Sequence, residues 1–244
     1  VQVTGAASSV VRALPPHRER WLPIVVVLAV LAALKMGTAW LGVTGAVLGV
    51  LATVAVVAVA THRGRTSWHD LGLSARALKR GLIWAAVMFA LFAAGFAVFA
   101  AATAALPVLA AWVSDLNVTA PSQTVLLQAL VTIPLGTVLI EEVAFRGALP
   151  ALLGRAGAGT RTAILGSAVL FGLWHVAPSL TEALHATASA GAVVAAVLGT
   201  VAFTTASGVG LGWLRHRSQS LLPPMIVHLA TNSLGLGLLW FVTA

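Results

Sequence analysis

The chain has 244 residues, 59% of them hydrophobic and only 8% charged, against about 25% charged in an ordinary soluble domain, which excludes a soluble globule. Its formal net charge of +8 would suit nucleic acid in a soluble protein, but here the basic residues sit between apolar runs, where they report membrane topology instead. There is no cysteine, so disulfides and thiol catalysis are excluded as well.

Residues 1–20 form a polar tail containing Pro15 and Pro16, expected on the cytoplasmic side, ahead of a membrane-embedded domain over 21–244. Apolar runs follow near 21–40, 43–60, 82–104, 124–140, 162–178, 188–214 and 222–243. Most are long enough to cross a hydrocarbon layer of about 30 Å. They are continuous in Ala, Leu and Val rather than alternating, so their backbones satisfy themselves as helices, not as barrel strands. The expected fold class is all-α: a polytopic transmembrane helix bundle of about seven spans, in the cell membrane. The first run is bounded by Trp21 and Trp40 and lacks a small-residue cleavage site, so it reads as a retained helix and not as a signal peptide. With the N-terminus inside, thirteen of the fourteen basic residues fall on the cytoplasmic side, Arg146 among them. Only Lys35 falls on the outer half, where its long stem lets the ammonium snorkel to the interface. The opposite orientation reverses that count, so the bundle is read as N-in.

The most charged loop is 61–81, and SARALKR within it suits a short helix on the cytoplasmic face. Residues 105–123 hold Pro107, Asp115 and Pro121 but no basic residue, as an outside loop should. GRAGAGTR, 154–161, is a glycine-rich turn between two helices. The chain shows no heptads, no internal repeat and no phosphate-binding glycine loop.

Three polar stretches interrupt the apolar pattern. An ionisable side chain inside a membrane helix costs at least about 2.5–3.5 kcal/mol, so each stretch is a functional candidate by default. In LIEEVAFRG, 139–147, Glu142 and Arg146 stand at i and i+4 in the favoured order for an ion pair. Glu141 points about 100° away and has no such partner, which leaves it available for chemistry. In FGLWH, 171–175, His175 lies as far after the turn near Ala158 as Glu141 lies before it. An antiparallel hairpin therefore sets carboxylate and imidazole at one depth, an acid–base pair. This requires the helix to continue past Pro150, which can kink it. In HLATN, 228–232, His228 and Asn232 share a helix face and can both donate to a developing oxyanion. Pro223 and Pro224 just upstream suit a helix start. A start at Leu222 puts His228 only about 9 Å deep, while His175 is nearer 20 Å. Tilt or a recessed start must close that gap. The bland alternatives are glutamates neutralising other helices, a lone histidine on a carbonyl, and a polar seam gluing helices.

Taken together, EEVAFR, FGLWH and HLATN resemble the EExxxR, FxxxH and HxxxN pattern of the CPBP family, which covers type II CAAX prenyl endopeptidases and bacterial Abi or bacteriocin-processing proteins. DLGL at 70–73 also looks like the family. The family-like core would cover about 124–244. The resemblance implies an intramembrane endopeptidase acting on a membrane-associated protein or peptide. It implies that Glu141, with His175 beside it, activates water, that His228 and Asn232 stabilise the oxyanion, and that Glu142 and Arg146 support the site. These residues are expected to line one cavity open to the cytoplasmic half of the membrane.

Glu141, His175 and His228 also make a His₂Glu zinc set. There is no HExxH, and Arg146 is placed to hold Glu142 as its partner. A cofactor-free mechanism is therefore favoured, with zinc left open. The competing readings are a non-catalytic bacteriocin-immunity or scaffold protein that binds peptide in the same cavity, and a transporter; no repeat symmetry supports the transporter. Expected partners are the lipid bilayer and a membrane-associated substrate, with no nucleic acid. The ratio of 12 Arg to 2 Lys looks like a GC-rich bacterial genome, so a prenylated CAAX tail, the substrate in eukaryotic relatives, is not expected.

Overall fold

The computed structural model describes residues 17–38, 42–114, 121–186 and 189–243. The tail before His17, Trp40 and Asp115 lie outside the described residues. Every element described is helical: α1 (His17–Thr38), α2 (Gly42–Ala58, continued by a π turn Val59–Arg63), α3 (Ala75–Ala105), α4 (Pro107–Ser114), α5 (Ser122–Arg155), α6 (Thr160–Ala186, with a break at His175), α7 (Ala190–Ser218) and α8 (Leu222–Thr243). Among the described residues, six helices are long and apolar enough to cross a membrane, and the chain is a multi-pass membrane protein. Large apolar side chains such as Ile83, Val98, Leu130 and Phe203 face outward. That is the inverse of a soluble surface, and it follows because lipid tails are as apolar as Leu.

The core lies where α1, α2 and α5 meet, around Val27, Leu31, Val56, Ile140, Ala144 and Leu149. Close approach between α6 and α7 depends on small residues. A Cβ on Gly172 would collide with the Thr205 hydroxyl and with the Val201 carbonyl at 2.9 Å, so α6 can reach this near to α7 only with glycine there.

SARALKR is not a separate interfacial helix. Ser74 caps α3 by accepting from the Ala77 amide, and nothing after Arg80 breaks the helix, so these residues form the first turns of a 31-residue span. The segment 105–123 contains the short helix α4. Arg146 is not a loop cation either: its side chain is 1% exposed, in the interior of α5. It must be dropped from the charge asymmetry used to orient the chain.

Candidate active site

The backbone of α5 is irregular where it carries the site. π turns cover Gln128–Thr132, Pro134–Val138 and Val143–Ala148, the last directly after Glu141 and Glu142. Such turns are rare and often mark functional positions. Pro150 explains the third. In a π turn its amide would have served the Phe145 carbonyl, but proline has no N–H. Ser167 of α6 supplies the missing donor, its hydroxyl bonding the Phe145 oxygen at 2.5 Å. In a membrane, Ser hydroxyls and π adjustments are how a proline-freed carbonyl is satisfied. The helix therefore runs on to Arg155, and residues 156–159 turn the chain into α6.

The resulting hairpin sets Glu141 level with Trp174. The indole Nε1–H donates to Glu141 Oε1 at 2.7 Å. Glu141 Oε2 is buried and has no hydrogen-bond partner; the His228 Nε2 stands 3.8 Å from it, too far for a direct hydrogen bond. Glu142 is fully buried, with Oε1 3.0 Å from Arg146 Nη1 and 2.7 Å from His228 Nδ1. A carboxylate only accepts, so Nδ1 carries a proton, and the Nε2 edge of His228 turns toward Glu141. The two adjacent glutamates thus face opposite nitrogens of one imidazole.

His175 sits at the C-terminus of the first half of α6. Pro178 ends that half, because its ring clashes with the carbonyl four residues back. The His175 Nδ1–H donates to the Phe171 carbonyl at 2.8 Å, which leaves its Nε2 as the free lone pair. Its ring stacks edge-on against Phe171 at 4.7 Å, and the His228 ring meets the same phenyl at 6.2 Å. The Arg146 guanidinium lies over that phenyl, 3.9 Å from its centroid. Phe171 is the hub on which both histidines and the arginine are packed. Asn232 lies half-buried one turn beyond His228, within the π turn Ala230–Leu234.

His228 reaches Glu142 because α8 starts below the surface. Ser218, Ser220 and Leu221 are fully buried at the α7–α8 junction. The 67–73 segment covers them. Ser67 and Asp70 bond reciprocally, amide to carboxylate at 2.8 Å and amide to hydroxyl at 3.1 Å, as in a capping box. Gly72, at φ +76°, turns its carbonyl to accept from the Leu221 amide at 3.2 Å; a side chain there would be strained. Arg215 bonds the Asp70 carbonyl at 2.7 Å and Arg155 pairs with its carboxylate at 3.5 Å. Burial opposes ionisation of Asp70, but the Ser67 bonds and Arg155 outweigh it and hold the carboxyl below its usual range. DLGL is therefore a clamp that joins the ends of α5, α7 and α8.

A cavity of about 380 Å³ opens beside this clamp, lined by His69, Asp70, Arg155, Arg215, His216 and, at depth, Arg146. Of the six site residues, only Arg146 lines it. The other five do not line it. Three residues at the site had been given no role in it: Trp174, Phe171 and Lys35. Trp174 had a signal, since a buried indole N–H needs an acceptor. Lys35 does not snorkel outward; its ammonium lies 4.4 Å above the Trp174 ring.

Among the described residues, no three His, Asp, Glu or Cys side chains are grouped to hold a metal ion.

A family model described as type II CAAX prenyl endopeptidase Rce1-like matches residues 122–234. The match covers 113 of the 244 residues, and this segment is similar to that family. The match runs from the start of α5 to the π turn of α8, so the Rce1-like segment contains all three polar stretches. The Rce1-like family is a family of proteases. No curated protein and no solved structure matches the chain.

Proposed function

We propose that this chain is an intramembrane endopeptidase that hydrolyses a peptide bond in a membrane-associated protein or peptide, with Glu141 as the general base. One observation carries the reading: Glu141 is fixed by Trp174 through Oε1 while Oε2 stays free and faces an imidazole nitrogen. Oε2 takes a proton from a water, and the hydroxide attacks the scissile carbonyl. The Nε2 lone pair of His175, its tautomer set by the Phe171 carbonyl, orients that water from the second side. His228, held at Nδ1 by Glu142, donates from its Nε2 side together with the Asn232 amide to the tetrahedral oxyanion. The proton held on Glu141 passes to the leaving amine as the C–N bond breaks. Glu142 and Arg146 keep His228 in register. The scheme is written without a metal.

We further propose seven spans with the N-terminus inside, α1 being the first, and a membrane peptide entering toward the clamp face. The decisive experiment compares membrane proteins from cells that carry the native chain or Glu141→Gln. A species that accumulates uncleaved only with Glu141→Gln, at equal protein levels, supports the reading. Identical patterns, followed by unaltered turnover of that species in reconstituted vesicles, would sink it.

A further inference from the structure

Lys35 lies on α1, outside the matched segment, and reaches the site from a direction that none of the three polar stretches uses. The buried face of α1 runs through Ile24, Val27 and Leu31. Steps of three and four along a helix keep one face, and the next step is Lys35. The lysine thus stands where periodicity calls for a core residue, and it is partly buried there. A lysine placed only to orient the chain would face lipid or the interface.

Its target is defined. Nζ sits 4.4 Å above the Trp174 ring centroid, and the same indole donates to Glu141 Oε1 at 2.7 Å. Glu142 has Arg146 at 3.0 Å, whereas among the described residues Glu141 has no direct pair with a Lys or Arg. A cation over the electron-rich face of an indole is held there by the ring quadrupole, and it draws density from the ring so that the N–H is a stronger donor. In a poorly solvated site its charge also acts on the carboxylate beyond the ring with little screening.

We propose that Lys35 is a positioning residue and the counter-charge of Glu141, acting through the Trp174 indole to hold that carboxylate in place. The pairing stands on geometry alone; its consequence for catalysis rests on Glu141 being the base. The other charged or titratable groups around Glu141 are His228 on α8, His175 on α6, and Glu142 and Arg146 on α5; all are kept in the test.

The test uses the full-length protein in detergent. Unfolding midpoints are measured for Lys35→Met, Glu141→Gln and the double variant. Coupled residues are non-additive, so Lys35→Met should lower the midpoint in the native background by at least about 3 °C more than in the Glu141→Gln background. A Lys35→Met chain that fails to fold in the native background but folds with Glu141→Gln supports the pairing equally. Equal effects in both backgrounds, including failure to fold in both, overturn it. This cycle needs no cleavage, so it answers even if the protease reading fails. Where cleavage is measurable, Lys35→Met should move the acid limb of the rate profile to higher pH with KM within about twofold, and Lys35→Arg should restore it. A uniform fall at every pH overturns the positioning role.

Discussion

Glu142→Gln and Glu141→Gln change adjacent residues in the same way and should have opposite consequences. Glu142 is fully buried, and its Oε1 serves both Arg146 at 3.0 Å and His228 at 2.7 Å. Gln can still accept from His228, so the main loss is the charge facing Arg146. Two unit charges about 4 Å apart gain about 4 kcal/mol at an effective dielectric of about 20. Removing one partner of a buried pair costs about 3–5 kcal/mol. At roughly 2–4 °C per kcal/mol for a chain of this size, Glu142→Gln should unfold on the order of 10 °C below the native protein. Glu141→Gln keeps an oxygen to accept from Trp174 and should unfold within about 3 °C of the native midpoint while cleaving nothing. Thermal unfolding followed by tryptophan emission, with size-exclusion recovery after heating, separates the two. Adding Arg146→Gln to Glu142→Gln should recover part of the loss, because the unpaired cation is what costs. A Glu142→Gln midpoint equal to native, or a double variant less stable than the single, would refute the assignment of Glu142 and Arg146 as a buried supporting pair.

Trp174→Phe keeps the ring under Lys35 but removes the N–H on Glu141; a hydrogen bond to a charged group contributes about 1.5–3 kcal/mol, so kcat/KM should fall about 10- to 100-fold, and an unchanged value would mean the indole does not position the base. Ser167→Ala leaves the Phe145 carbonyl unsatisfied beside Pro150, at a cost of about 1–3 kcal/mol, readable as a midpoint lowered by several degrees and absent when Pro150 is replaced by Ala in the same chain. Asp70 has a folded-state pKa below its ordinary value, so its stabilisation is present above the unfolded pKa of about 3.9 and is lost as pH falls through the folded pKa. The midpoint of Asp70→Asn should therefore vary less with pH below about 4 than that of the native protein. Reporter fusions in 64–74 and 219–221 should read cytoplasmic and those in 115–120 outside; a cytoplasmic reading for 115–120 would overturn the N-in arrangement.

The sequence made some of this site readable and hid the rest for physical reasons. Glu142 and Arg146 were legible because i,i+4 spacing survives even across the start of a π turn. The level placement of Glu141 with the FGLWH stretch was legible because a helical hairpin fixes depth by counting from its turn. Which side chain of that stretch would reach Glu141 was not legible, because His175 is engaged by the Phe171 carbonyl of its own helix while Trp174 donates to the carboxylate. His228 looked too shallow because counting started at Leu222 as if that residue were at the membrane surface. The reciprocal Ser67–Asp70 turn, the positive φ of Gly72 and the Arg215 bond bury that start, and none of these long-range contacts has a local signature. Arg146 and Lys35 were both misplaced by treating basic residues as topology markers, although one is core and the other continues a core stripe.

A low-dielectric interior tolerates charges when they balance over a short range, and this cluster can be followed ion by ion. Glu142 is matched by Arg146 in direct contact. Glu141, without such a contact, would leave the cluster one negative charge in excess if the three polar stretches were all there was. Lys35 supplies the missing positive charge from α1, at a distance and through an aromatic ring. A direct lysine–carboxylate bond would occupy the oxygen that has to take a proton and would oppose its protonation. Placing the cation behind Trp174 supplies the charge while leaving Oε2 free. Two neighbouring glutamates are in this way given different duties by the geometry of their counter-ions: contact for the one that holds His228, separation for the one proposed to act on water.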